Sequence, residues 1–315
     1  MTFIADATRA KKAPAAAAGM PFRNTAGQTG TAAAATGNQE QWQVSDTDSQ
    51  FDLRRRHPFA RFHLLANAVQ SQVARCRLRC SLDVSYGSTA GQKLDIFPAQ
   101  TSKAPVFLFI HGGYFRALDK SQYRYVASRM VRQGYTVVLV NYDLAPTVRV
   151  AEIIRQVLAS FHWVRENIPE WNGDPERIML CGHSVGAFLA ARILEEERPG
   201  SSGIRKAALL SGLFDLEPMK RSFLNRDLHL SDADAANLNP RAEAITERPD
   251  ILVAVGSRET GQFISQSKDY SRRLANAGIR NRLMVLPRIN HYSMSRLLAS
   301  RRNPVMDWIS GSSHS

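Results

Sequence analysis

The stretch from Ile178 to Ala191, Ile-Met-Leu-Cys-Gly-His-Ser-Val-Gly-Ala-Phe-Leu-Ala-Ala, limits the folds open to this 315-residue chain more than any other. Its first four residues are apolar without alternation, as in a strand covered on both faces of a parallel sheet. Its last residues are alanine-rich and helix-forming. Between them lies Gly182-x-Ser184-x-Gly186, whose glycines allow a sharp turn and close packing of strand on helix. Such a turn holds the central serine on a strained corner with its hydroxyl accessible.

The remainder of the chain supplies the alternation that a buried strand of this kind needs. Residues 1–50 are rich in Ala, Gly, Thr and Gln and are expected to be a disordered tail; residues 51–315 are expected to form one domain. From Pro58 to about Leu78, the spacing of Phe59, Phe62, Leu65, Val69 and Val73 predicts an amphipathic helix packed on that domain. Ser81–Tyr86 and Lys93–Phe97 alternate as half-buried strands, and Val106–Ile110 is solidly apolar. A helix over Ser121–Gln133, a strand over Thr136–Val140 and a helix over Val150–Asn167 lead into the Gly-x-Ser-x-Gly segment. Strands at Ala207–Leu210, Ile251–Val255 and Arg282–Leu286, a helix at Phe263–Ala277 and a final helix at 293–301 follow it. Two leading strands followed by strand-helix alternation imply an α/β fold with a mostly parallel central sheet covered by helices on both faces. Residues 215–248 are too long for an ordinary crossover and are expected to form a small cap over the site.

A serine hydroxyl needs a base within hydrogen-bond reach, and the base needs an acid to orient it. Of the histidines after Ser184, His229 lies in the cap segment, whereas His291 stands just beyond the last strand. That position is at the carboxyl edge, where sites of open α/β sheets collect. The acid should follow the strand Ile251–Val255. Glu259 is the one carboxylate between Leu252 and Lys268, and Asp269, ten residues further along a helix, is the alternative. Acyl transfer also needs donors aimed at a developing oxyanion. The backbone N–H of Val185 is one, and the loop His111-Gly112-Gly113-Tyr114 after the strand ending at Ile110 offers the others. Tyr114, Phe115, Phe214 and Tyr292 are expected to line the substrate cleft.

Charge and cysteine content restrict the alternatives. A formal charge of +13 raises nucleic acid as a partner, but the arginines are scattered and sit in no recognisable nucleic-acid-binding context. A basic surface that attracts small anions is the preferred reading. Cys76, Cys80 and Cys181 are too few for a disulfide framework, so a reducing cytoplasm is expected. Cys76 and Cys80 have no second ligand pair at zinc spacing, and no metal or other cofactor is called for. No apolar run approaches the roughly 20 residues of a membrane helix. A homodimer is one assembly the sequence allows.

The segments HGGYF (111–115), NYDLAP (141–146), DPERI (174–178), GHSVG (182–186), SGLFDL (211–216) and NHYSM (290–294) together resemble the α/β-hydrolase fold. They look like the branch shared by hormone-sensitive-lipase-like esterases and kynurenine formamidases, and the resemblance spans about residues 80 to 302. It implies a cofactor-free serine hydrolase that cleaves a small acyl ester or an N-formyl aryl amide through an acyl-enzyme. Its triad would be Ser184, Glu259 and His291, its oxyanion hole Gly112, Gly113, Tyr114 and Val185. A carboxylesterase of wider acyl range and a catalytically silent binding protein of the same fold are the alternatives. Tyr114 stands where the esterase side carries a third glycine, Phe115 where the formamidase side carries Trp, and Glu259 where both usually carry Asp.

Overall fold

The computed structural model describes residues 46–196 and 203–311. Eight strands form one sheet in the order β1-β2-β4-β3-β5-β6-β7-β8. They are β1 (Ser81–Ser85), β2 (Lys93–Phe97), β3 (Ala104–Ile110), β4 (Thr136–Val140), β5 (Gly173–His183), β6 (Ile204–Leu210), β7 (Asp250–Gly256) and β8 (Asn281–Leu286). β2 runs antiparallel to β1 and β4, and every other pairing is parallel.

The solidly apolar strands are explained by two cores. Successive side chains leave opposite faces of a strand. Val106, Leu108 and Ile110 of β3 therefore enter one core, and Phe107 and Phe109 the other. Ile178 and Leu180 of β5 likewise separate from Met179 and Cys181. The helices, in chain order, are α1 (Asp46–Phe51), α2 (Leu53–Arg56), α3 (Ala60–Arg77), α4 (Tyr125–Met130), α5 (Val150–Asn167), α6 (Val185–Glu196), α7 (Glu217–Lys220), α8 (Asn225–Leu228), α9 (Asp232–Asn237), α10 (Gly261–Asn276), α11 (His291–Met294) and α12 (Pro304–Ser310). Side chains of α5, α6 and α10 fill the first core, and those of α4 and α12 the second.

Several elements differ from the expectation. Of the tail expected over 1–50, residues 1–45 lie outside the described residues, but Asp46–Gln50 belong to α1. β2 is buried from Leu94 to Phe97 rather than half-buried, because it is paired on both sides. Its Asp95 is fully buried, with Arg124 Nε at 2.6 Å and Lys120 Nζ at 3.2 Å supplying the charges that burial demands. The final helix expected at 293–301 is divided into α11 and a 3₁₀ turn, and α12 follows. Residues 215–248 form α7, α8, α9 and a 3₁₀ turn.

The helix expected from Pro58 to Leu78 is present as α3, but its apolar stripe faces outward. Phe59, Phe62, Leu65, Val69 and Val73 are exposed, and the buried positions are Ala60, Asn67, Ser71 and Ala74. These small residues let the helix approach closely, and its polar side chains find fixed partners. Arg296 Nη1 donates to Asn67 Oδ1 (2.9 Å), and the Tyr125 N–H donates to Ser71 Oγ (3.2 Å).

Candidate active site

The candidate site is assembled where β3, β5, β7 and β8 end. β5 stops at His183, Ser184 makes the turn with φ of 60°, and α6 starts at Val185. Positive φ is unfavourable for a residue with a Cβ and survives only when its surroundings enforce it. Here the Ser184 N–H donates to the Leu210 carbonyl (2.8 Å) of the neighbouring strand, and the Ser184 carbonyl accepts from Ala187 N (2.9 Å). A Cβ on Gly186 would lie 2.2 Å from the Ile110 carbonyl oxygen, so this helix can start against β3 only with glycine there.

Gly112 is pressed against the serine. A Cβ added to it would lie 2.8 Å from Ser184 Cβ and 3.4 Å from Ser184 Oγ. The loop Gly113-Tyr114-Phe115 then has positive φ at all three residues. Buried His111 holds the base of this loop, with Nδ1 2.7 Å from the Gly112 carbonyl oxygen and Nε2 3.0 Å from Asn141 Oδ1. Val185 is completely buried at the first position of α6.

Glu259 and His291 meet in the interior. His291 Nδ1 lies 2.8 Å from Glu259 Oε2, and the two residues are 5% and 2% exposed. A carboxylate can only accept, so the proton of a neutral His291 sits on Nδ1 and leaves Nε2 with a free lone pair. The other carboxylate oxygen accepts twice: from Ser211 Oγ (2.6 Å) and from the Gly256 N–H (2.7 Å). Glu259 is therefore fixed at three points. Asp269, the alternative acid, lies on α10 and pairs with Arg272 at the surface. His229 caps α8 in the left-handed conformation.

His183 ties the serine turn to the histidine loop. Its Nε2–H donates to the His291 carbonyl (3.1 Å), and the two rings are 4.7 Å apart. Burial, with His291 facing it, holds the pKa of His183 well below the usual histidine value. It is thus a neutral donor. Phe263 covers the other flank of His291, with ring centroids 4.4 Å apart.

The four aromatic residues expected at the cleft divide into two pairs. Tyr114 and Tyr292 are half-buried. Tyr292 packs edge-on to His291 and His57 and stacks on His63 of α3. Phe115 and Phe214 are instead core residues. Phe115 is fully buried edge-on to Phe188; Phe214 is 1% exposed and stacked on Tyr270 at 4.1 Å.

Two contributors escaped the sequence analysis. Ser211 lies at the start of SGLFDL, and its position directly beyond β6 was the available signal. Segment α1 is the other. The Tyr114 hydroxyl donates to the Phe51 carbonyl (3.1 Å), Thr260 Oγ1 to the Gln50 carbonyl (2.9 Å), and Phe223 N to Asp48 Oδ1 (2.6 Å).

This arrangement can hold a serine on a strained turn, a histidine with an unprotonated Nε2 and a buried acid behind it. Comparison with known proteins agrees with such chemistry. A family model described as alpha/beta hydrolase fold matches residues 107–295. The chain is 32% identical to a kynurenine formamidase of Salmo salar over 243 residues, covering 74% of this chain and 81% of that protein. It is 30% identical to a kynurenine formamidase of Danio rerio, covering 74% and 82%. A crystal structure from Silicibacter sp. TM1040, of a protein provisionally assigned as a thioesterase, superposes with a TM-score of 0.71 at 26% identity. That match covers 82% of this chain and 97% of the other.

Proposed function

The chain belongs to the alpha/beta hydrolase fold family, and from that premise we propose that it is a serine hydrolase acting on a small acyl ester or N-formyl aryl amide. Ser184 is the nucleophile, His291 the base and Glu259 the orienting acid. His291 Nε2 takes the Ser184 proton as Oγ attacks the acyl carbon. The same proton then passes to the leaving amine or alcohol, giving an acyl-enzyme. Water, deprotonated by His291, hydrolyses that intermediate and regenerates Ser184. The oxyanion is met by the N–H of Val185 and by N–H groups of the Gly112–Tyr114 loop. Glu259 keeps the imidazole tautomer fixed and stabilises the imidazolium that forms.

The 2.8 Å contact between His291 and Glu259, buried and anchored by Ser211 and Gly256, carries this proposal. A protein that merely bound ligands would have no use for it. Two observations favour the formamidase side: the kynurenine formamidases at 32% and 30% identity, and the half-buried Tyr114 and Tyr292, which offer flat surfaces to an aromatic leaving group. With Phe115 and Phe214 in the core, Tyr114 and Tyr292 are the two of the four expected aromatic residues that support that preference.

A substrate panel tests it. N-formyl-kynurenine and nitrophenyl acetate should be turned over with higher kcat/KM than nitrophenyl octanoate. The decline along the ester series should be graded, since one methylene in an apolar pocket changes transition-state binding by about 1–3 kcal/mol. A kcat/KM rising steadily from acetyl to octanoyl, with no formamide turnover, would assign a lipase-like pocket instead.

A further inference from the structure

Among the described residues, nothing covers the apolar side of helix α3. Phe59, Phe62, Leu65, Val69 and Val73 are 69%, 68%, 62%, 56% and 43% exposed. Their spacing of three, three, four and four residues places them in one line, roughly 21 Å long at 1.5 Å per residue. The Phe59 and Phe62 rings lie 6.1 Å apart, so the apolar surface is continuous at its widest end. The opposite side is fastened through Asn67 and Ser71, which fixes the rotation of the helix and keeps the stripe outside.

Charge identifies what would cover it. Between Leu53 and Leu82 there are seven arginines (54, 55, 56, 61, 75, 77 and 79) and no aspartate or glutamate. All seven are exposed. Two copies of this face set against each other would bring fourteen positive charges together with no counter-charge from the same stretch. An apolar stripe on a stretch that carries seven arginines and no carboxylate, with Asp46 and Asp52 beside only Arg55 and Arg56 at its start, is instead complementary to a surface that is apolar beneath and anionic above.

We propose that α3, with the arginines flanking it, is a docking surface for an anionic lipid bilayer. The helix lies in the interface plane, with Phe59, Phe62, Leu65, Val69 and Val73 among the upper acyl chains and the arginines at the phosphates. Among the described residues no helix is long and apolar enough to cross a membrane, so the association is peripheral. The inner flank of the same helix carries His63, which stacks on Tyr292 next to His291. Docking therefore brings the bilayer within one helix of the candidate active site.

The test is sedimentation of the full chain with vesicles of phosphatidylcholine alone or mixed with phosphatidylglycerol. The wild type should bind the anionic vesicles about tenfold or more tightly than the neutral ones, and added salt should weaken this binding. The double variant Phe62→Glu/Leu65→Glu and the triple variant Arg75→Gln/Arg77→Gln/Arg79→Gln should each lose about tenfold in anionic-vesicle binding. Both should keep the wild-type unfolding midpoint and the wild-type kcat/KM on a soluble ester, because these side chains are exposed. Failure of the wild type to bind anionic vesicles overturns the proposal, as does equal binding by wild type and both variants. A dimer by light scattering that the double variant disperses, without vesicle binding, would assign the stripe to a second copy of the chain.

Discussion

At the scale of single residues, the buried carboxylate of Glu259 is held by more contacts than its partner histidine requires. One oxygen faces His291 Nδ1, while the other accepts from Ser211 and Gly256. Glu259→Gln should lower kcat by about 10⁴-fold, because an amide can present a donor to His291 and favour the wrong tautomer. Ser211→Ala should cost less, about tenfold in kcat with KM little changed, because the Gly256 N–H still anchors the carboxylate. Steady-state kinetics on one soluble ester checks both; equal losses for the two variants would refute this division of roles. The positions of Ser184, Glu259 and His291 just beyond β5, β7 and β8 were legible in the sequence, because each follows a strand at the edge where sites form. Ser211 was not, because a serine after a strand is common and only its left-handed backbone aims the hydroxyl at Glu259. Phe115 and Phe214 lie in the core rather than at the cleft; hydrophobicity marks a ring as sheltered but does not say what shelters it.

At the scale of elements, periodicity locates a helix and its apolar side but does not say which side is covered. In α3 the small residues Ala60, Ser71 and Ala74 decided the packing, against the larger but outward-facing stripe. The inner strands were readable because solid apolar runs have few other uses in a chain of this kind, and β1 and β2 because their residues alternate. Segment α1 was not readable, since Asp-Thr-Asp-Ser-Gln-Phe is short and polar. Its single apolar residue nevertheless does much of the anchoring. Phe51 is 1% exposed, packs edge-on to Tyr114 at 6.2 Å, and presents its carbonyl to the Tyr114 hydroxyl. Phe51→Ala should destabilise the protein by about 3–5 kcal/mol, the usual range for truncating a buried phenylalanine. Urea unfolding measures this, and a loss below about 1 kcal/mol would mean that α1 is not part of the cooperative core.

For the molecule as a whole, the buried histidine beside the serine links stability to pH. His183 has a pKa well below its ordinary value because burial disfavours its charged form. Above about pH 6.5 it is neutral whether the chain is folded or unfolded. As pH falls below that value the unfolded chain takes up a proton that the folded chain refuses. Stability is therefore fully present above about pH 6.5 and is lost on acidification, by about 1.4 kcal/mol per pH unit for this one group. His183→Asn removes the titrating ring. Its unfolding free energy should fall less steeply between about pH 6.5 and 5 than that of the wild type, by about that slope. Parallel curves for the two proteins would show that His183 does not titrate differently in the folded chain.

Covalent capture distinguishes a nucleophilic Ser184 from every other serine of the chain. A fluorophosphonate incubated with the full-length protein should form one adduct per chain, abolish ester hydrolysis, and map by peptide mass spectrometry to the tryptic peptide carrying Ser184. Ser184→Ala should take up no label and lose about 10⁴- to 10⁶-fold in kcat. An adduct on any other residue with Ser184 unmodified, or a Ser184→Ala variant keeping about a tenth of the wild-type activity, would contradict the assignment.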